Sequence, residues 1–271
     1  MIEIVATDLD GTLFNKNHQI SDEDYQTLVE LGQKGIRRAV ITGRNYLSAI
    51  RVLAEDFPID YLVFSSGAGI FDWHSKELLH SHYLDDTKVE RISRLFMQED
   101  VDFMIHKIIP HNHKFYYYRS NRHNADFERR IEIYKEYAYP LQPDDHEYDH
   151  ACQFVAIFGQ DHSLFYRMAA KMNDVKYIRT TSPLDHTSLW MEIFPENVSK
   201  GHGLQWLCNY LNIPLSASFA IGNDYNDLDM LEYANLSYVV DNAPNELKNL
   251  FNNCPPNTEN GFSRAIRNHF S

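Results

Sequence analysis

At 271 residues the chain has room for one large domain or two smaller ones, and its 44% apolar content is ample for packed cores, so disorder is excluded. The formal net charge is −13 and no clustered run of Lys and Arg occurs, which argues against a nucleic-acid binder. No apolar run approaches the ~18 residues of a membrane span. Cys152, Cys208 and Cys254 are far apart and form no Cys-x-x-Cys pair, so neither a zinc site nor a disulfide framework is expected. Three reduced thiols, with no basic and apolar leader before the first strand, give the expectation of a cytoplasmic protein.

Ile2, Ile4 and Val5 make a short β-branched run, too short for a helix, and predict a buried strand. It stops in Asp8-Leu9-Asp10-Gly11-Thr12, where Gly11 lets the chain turn. Ser21, with Asp24 three residues on, starts a helix that Tyr25, Leu28, Val29 and Gly32 continue and Gly35 ends. Ile36 to Ile41 is a second strand, broken by Thr42-Gly43-Arg44. A helix with Tyr46, Ile50, Leu53 and Ala54 on one face follows, then a strand from Tyr61 to Phe64. This alternation predicts a parallel sheet with right-handed crossovers, in which ligands gather at the carboxyl ends of strands. Asp8 and Thr42 both sit at such ends.

From Ser65 the rhythm changes. A hairpin through Phe71 to Tyr83 precedes a helix over Asp85 to Gln98. Strands at Val101 to Ile109 and Lys114 to Arg119 follow, linked by Pro110-His111-Asn112. In the Phe115-Tyr116-Tyr117-Tyr118 run, core and surface positions are expected to alternate. A helix near Ala125 to Tyr137 leads to a polar loop around Pro140 to Asp149. Strand Gln153 to Phe158, helix Ser163 to Met172, and strands Val175 to Arg179 and Ser188 to Ile193 complete the middle. Strands side by side in sequence suggest a separate α+β domain, inserted at roughly 84–190. The first pattern resumes after Pro195. Leu204, Leu207, Cys208 and Leu211 form one helical stripe with Lys200 in its first turn. Ser218 to Ile221 is a buried strand ending in Gly222-Asn223-Asp224-Tyr225-Asn226-Asp227. Leu228, Leu231 and Ala234 start a helix, and Tyr238 to Val240 is a last strand.

Two carboxylates at i and i+2 of an extended segment face one side and repel unless a cation or a proton joins them. Asp8 and Asp10 therefore read as a metal-assisted reaction centre with a carboxylate nucleophile. A calcium loop would want an acidic or amide residue, glycine and glutamate where this chain has Thr12, Leu13 and Gln19, so that alternative fails. Thr42-Gly43-Arg44 offers a hydroxyl and backbone N–H groups that suit an oxyanion, but an ordinary turn has the same composition. Lys200 alone is equally consistent with a solvated lysine. Asn223, Asp224, Asn226 and Asp227 cluster oxygens of the kind that suit Mg²⁺. His106, His111, His113, His123, His146 and His150 fall in the inserted segment without zinc spacing, and surface or packing roles are expected for them.

Together these four pieces, in this order and at these strand ends, resemble the haloacid dehalogenase (HAD) superfamily of phosphohydrolases. The nearest likeness is to its Cof-type phosphatase branch, whose α/β cap is inserted between the second and third motifs, as residues 84–190 are here. The resemblance covers the full chain; the Asp-x-Asp-Gly-Thr-Leu motif is highly specific, while the cap matches by size and position. It implies an α/β fold with a Rossmann-like parallel-sheet core (1–83 and 191–271) and an inserted α+β cap (84–190) that sets substrate specificity. Asp8 would be the nucleophile and a magnesium ligand. Asp10 would protonate the leaving alcohol and then activate water, with its backbone carbonyl on the metal. Leu9, Thr42, Gly43, Lys200 and Asn226 would bind the phosphate.

Two departures stand out. The fourth motif of the family reads Gly-Asp-x-x-Asn-Asp, so Asn223 stands where a metal carboxylate is usual. Asn223 is expected as a direct ligand with Asp227 supporting, or else Asp224 compensates by a local shift. Ser65-Ser66-Gly67 stands where the branch has Asn before Gly-Ala. The expectation is a Mg²⁺-dependent phosphatase of small phosphorylated metabolites, sugar phosphates foremost, acting as a monomer or weak homodimer. A phosphomutase using the same aspartyl-phosphate, and a non-catalytic binding protein motivated by Asn223, are the rivals.

Overall fold

The computed structural model describes residues 1–141, 150–182, 184–185 and 187–270. The chain divides into two compact units, Met1–Ser81 with Ser199–Ser271, and His82–Val198. It runs through β1 (Ile4–Thr7), α1 (Asp22–Gln33), β2 (Arg37–Ile41), α2 (Tyr46–Ile50), β3 (Tyr61–Phe64), β4 (Gly69–Asp72) and β5 (Leu78–Ser81) before entering the second unit. There it forms α3 (Asp86–Gln98), β6 (Asp102–His106), β7 (Phe115–Tyr118), α4 (Ala125–Ile133), β8 (Ala138–Pro140), β9 (Gln153–Ile157), α5 (His162–Ala169), β10 (Lys176–Thr181) and β11 (Leu189–Phe194). It returns with α6 (Lys200–Leu211), β12 (Ser218–Gly222), α7 (Leu228–Tyr233), β13 (Leu236–Val240), α8 (Asn245–Lys248), β14 (Asn252–Cys254) and α9 (Gly261–Phe270).

In the first unit the strand order is β14-β13-β12-β1-β2-β3-β4-β5. The six strands from β14 to β3 are parallel, and β4 and β5 extend the sheet antiparallel. β1 is central, with Ala6 opposite Ala220 of β12 on one side and Ala39 of β2 on the other. All four of its residues are buried, as a parallel strand covered on both faces requires. The neighbours β12, β1, β2 and β3 point the same way, so Asn223, Asp8, Thr42 and Ser65 leave the sheet along one edge. Ser21 caps α1 by accepting the Asp24 N–H at 3.1 Å, the bond its spacing predicted.

Tyr238 to Val240 is not the last strand: β14 pairs with β13, and α9 follows it. Asn252-Asn253-Cys254 has weak strand propensity and is held by pairing with β13 and by side-chain bonds such as that of Asn252 Nδ2 to the Ser237 carbonyl at 3.0 Å. α9 buries Phe262, Ala265 and Ile266, a face too short to stand out as a periodic stretch.

The second unit is a six-stranded sheet, order β10-β11-β9-β6-β7-β8, antiparallel except where β8 joins β7. β8, a three-residue edge strand ending in Pro140, was not visible in sequence. Alternation sorts its strands cleanly. Phe103, Ile105, Phe154, Ala156, Met191 and Ile193 pack with α3 and α5, while Met104, Val155, Ile157 and Trp190 pack with Phe127 of α4. Both faces are thus covered. This corrects the core-and-surface expectation for residues 115–118: Phe115 is buried on one face and Tyr116 on the other. The inserted unit spans 82–198 rather than 84–190, because β11 pairs with β9 and β10 throughout and cannot belong to the first sheet. His106 is a packing histidine, held neutral by burial, which pushes its pKa down to about 3. From residue 142 onward the polar loop expected over 140–149 lies outside the described residues, as does His146. No described helix is long and apolar enough to cross a membrane.

Candidate active site

Asp8 leaves β1 only 4% exposed, its backbone N–H tied to the carbonyl of Ile221 on β12. Burial without water pushes its acid up to about 7, against the pull of Lys200 and with Asp227 and Asp10 adding to the rise. Lys200, the first residue of α6, is 1% exposed, the opposite of a solvated lysine. Its three N–H donors all find acceptors: Asp8 Oδ1 at 2.6 Å, Asp227 Oδ1 at 2.6 Å and Asn226 Oδ1 at 3.3 Å. Burial alone would lower its pKa, but the Asp227 and Asp8 carboxylates outweigh it and hold the ammonium above the ordinary lysine range.

Asp227 is fully buried. It gives Oδ1 to Lys200, while Oδ2 accepts the backbone N–H of Asn223 at 2.8 Å and of Asp224 at 3.0 Å. It therefore reaches Asp8 through Lys200 and shapes the 223–227 turn, with both oxygens engaged. A Cβ on Gly222 would sit 2.6 Å from the Asp227 carboxyl, so glycine is needed for that close approach. The side chain of Asp224 turns to the Tyr225 N–H at 2.7 Å. Asn223, rather than Asp224, faces the nucleophile candidate.

One terminal atom of the Asn223 amide lies 3.0 Å from each of Asp8 Oδ2, the Asp10 carbonyl and Thr12 Oγ1. With its NH₂ turned there, the amide donates to the carboxylate and the carbonyl. With its oxygen turned there, it stands among the oxygens of Asp8, Asp10 and Thr12, a donor set whose chemistry suits a hard divalent cation. No group of three His, Cys, Asp or Glu side chains among the described residues could hold a metal. Gly11, at φ +81°, makes the turn possible, and a Cβ there would come within 2.6 Å of the same amide.

Asp10 points its carboxylate to Arg44, which grips both oxygens: Nε donates to Oδ2 at 2.6 Å and Nη2 to Oδ1 at 2.7 Å. His18 Nδ1 lies 3.0 Å from the same Nη2. Thr42 is buried, and its hydroxyl accepts the Arg44 N–H at 3.1 Å. Gly43 stands beside the Asn226 amide. Leu9 is completely buried. Arg44 is a site residue that the motifs alone do not assign. Charge balance held the signal: across the four motifs Arg44 and Lys200 are the only cations against Asp8, Asp10, Asp224 and Asp227.

A parallel α/β sheet with a buried carboxylate–lysine centre and a mixed oxygen cluster at its carboxyl edge defines a class of hydrolytic enzymes. A family model described as haloacid dehalogenase-like hydrolase matches residues 5–266, and the chain belongs to that family. It is 24% identical over 273 residues to the phosphatase YwpJ of Bacillus subtilis, covering 92% of this chain and 93% of that one. Its fold is similar to that of the HAD phosphatase BT1666 from Bacteroides thetaiotaomicron, with a TM-score of 0.82, 18% identity and coverage of 99% and 95%. It is also similar to that of the HAD subclass IIB sugar phosphatase BT4131, with a TM-score of 0.77, 17% identity and 98% of each chain covered. HAD phosphatases typically use a metal ion.

Proposed function

We propose that this chain is a Mg²⁺-dependent phosphatase of small phosphorylated metabolites, sugar phosphates foremost, working through an aspartyl-phosphate on Asp8. The observation that carries this reading is the division of the Asp8 carboxylate: Oδ1 is held by buried Lys200 and Oδ2 faces the Asn223–Asp10 oxygen cluster. Mg²⁺ would be held by Asp8 Oδ2, the Asp10 carbonyl and the Asn223 amide oxygen, with Asp227 supporting the turn. When bound, it supplies charge neutralisation at the phosphoryl oxygens and keeps Asp8 ionised.

Asp8 attacks phosphorus, the bond from phosphorus to the ester oxygen breaks, and that oxygen takes its proton from Asp10. Asp10 then takes a proton from water as the water oxygen attacks the aspartyl-phosphate, freeing phosphate and restoring Asp8. Each Asp10 oxygen keeps a second lone pair beside its bond to Arg44, so the carboxyl can carry the proton while Arg44 holds it. Lys200, Thr42, Gly43, Asn226 and the backbone at Leu9 hold the phosphoryl oxygens. Selection among substrates is assigned to the inserted unit on the family resemblance.

The test is turnover of a panel of about a hundred phosphorylated metabolites and p-nitrophenyl phosphate, with and without Mg²⁺. Expected is phosphate release that needs Mg²⁺ and vanishes in Asp8→Asn. An isomeric hexose phosphate without phosphate release would make the protein a mutase, and no turnover on any substrate would make it a binding protein.

A further inference from the structure

Three residues in a row leave the carboxyl end of β3 with positive φ: Ser65 at +48°, Ser66 at +55° and Gly67 at +102°. A left-handed backbone is disfavoured for a serine, and two in succession persist only when the surroundings hold them. Here they are held on both sides. The Ser65 N–H donates to the Arg44 carbonyl at 2.7 Å and the Ser66 N–H to the Thr42 carbonyl at 3.0 Å. Gly67 packs so closely on Ser199, just before Lys200, that a Cβ would come within 2.3 Å of its carbonyl oxygen. The loop is thus bolted between the Thr42–Arg44 turn and the start of α6.

This placement commits the Ser66 side chain. The residue is 2% exposed, yet its hydroxyl has no hydrogen-bond partner among the described residues and is not sealed off as a buried orphan. A buried hydroxyl is normally bonded. It lies 3.7 Å from the point where a Cβ on Gly43 would sit, and the Asn226 Nδ2 lies 3.6 Å from the same point, with nothing else described within 4 Å apart from the adjoining Thr42 and Arg44. Lys200 holds the other end of that amide, fixing its NH₂ toward Gly43. The space beside Gly43 is therefore met by two donors without partners among the described residues, an amide and a hydroxyl.

We propose that Ser66 is a further phosphoryl-binding residue, its hydroxyl donating to the oxygen that the Asn226 amide also meets beside Gly43. This rests on the phosphatase reading above and adds to it a donor from a fourth strand end. The strained loop is then the means by which a short side chain is carried into the site.

The test is calorimetric titration with inorganic phosphate in Mg²⁺, alongside kcat and KM for the best substrate, in wild type, Ser66→Ala and Ser66→Gly. Glycine accepts the positive φ, so Ser66→Gly keeps the loop where alanine strains it. Expected is a loss of phosphate affinity of about ten-fold or more in both variants, as for a hydrogen bond to a charged group, with an unchanged melting temperature in Ser66→Gly. Unchanged phosphate affinity in Ser66→Gly overturns the proposal, as does a rise in KM without loss of phosphate affinity, which would move the contact to the leaving group. Wild type that neither turns over nor binds phosphate defeats the phosphatase reading instead, a separate outcome.

Discussion

Arg44 holds Asp10 by both carboxylate oxygens, at 2.6 and 2.7 Å, and steadies itself on the Ser48 carbonyl at 3.2 Å. A two-pronged grip fixes the plane of a carboxylate as well as its position. Replacing Arg44 by alanine frees Asp10 to rotate, so kcat is expected to fall about 10- to 100-fold while phosphate affinity changes little. Arg44→Lys should rescue poorly, because an ammonium offers a point charge in place of a fork. Steady-state kinetics beside phosphate titration separate the two effects. A loss confined to KM would show that Arg44 serves binding instead.

The two ends of this arrangement were unequally legible in sequence. Asp8 and Asp10 announced themselves because a buried strand ran straight into two carboxylates. Lys200 entered only through the family resemblance and Arg44 not at all, since a lone cation in a first turn or a loop has the same local pattern whether it is solvated or buried. Their partners lie 192 and 34 residues away, and only the adjacency of β12, β1, β2 and β3 brings them in. The strands with strong apolar runs were placed closely. β14 and β8 were not, because polar or proline-bearing edge strands exist through pairing rather than propensity.

Stability should report the protonation of Asp8 directly. Its folded pKa, raised to about 7 from 3.8, means the folded state keeps a proton that the unfolded state has lost between those values. In EDTA, stability should therefore fall as pH rises from about 4 to about 7, by up to about 1.4 kcal/mol per pH unit. Asp8→Asn removes that component, so its urea unfolding curves at pH 5 and pH 7 should lie closer together than those of wild type. Mg²⁺ favours the ionised carboxylate, so the rise in wild-type melting temperature on adding it should be larger at pH 8 than at pH 5. Equal shifts at both pH values would place the cation away from Asp8.

Gly43→Ala probes the space beside this glycine without straining the chain. The added Cβ would meet only the Asn226 amide and the Ser66 hydroxyl, at 3.6 and 3.7 Å, which is ordinary contact. The melting temperature should stay within about 2 °C of wild type, since a surface change without new clashes costs within ±0.5 kcal/mol. Phosphate affinity should nonetheless drop at least ten-fold, because the methyl group occupies the space an oxygen would enter. Retained affinity would mean the phosphoryl group sits elsewhere along the strand ends.

Asn223→Asp restores the carboxylate that the family pattern carries at this position, and its effect should change sign with the cation. In EDTA a second carboxylate would face Asp8 Oδ2 and the Asp10 carbonyl across the 3.0 Å that the amide now spans. An amide can donate to both oxygens there, whereas a carboxylate can accept only the Thr12 hydroxyl and repels the Asp8 carboxylate. The variant should melt below wild type in EDTA. Added Mg²⁺ meets one more negative ligand, so the same variant should gain more from it than wild type does and should reach half-maximal activity at a lower Mg²⁺ concentration. Melting curves and a Mg²⁺ titration of turnover measure both. A variant as stable as wild type in EDTA, and no more responsive to Mg²⁺, would remove Asn223 from the ligand set and leave Asp8 and the Asp10 carbonyl to hold the cation without it.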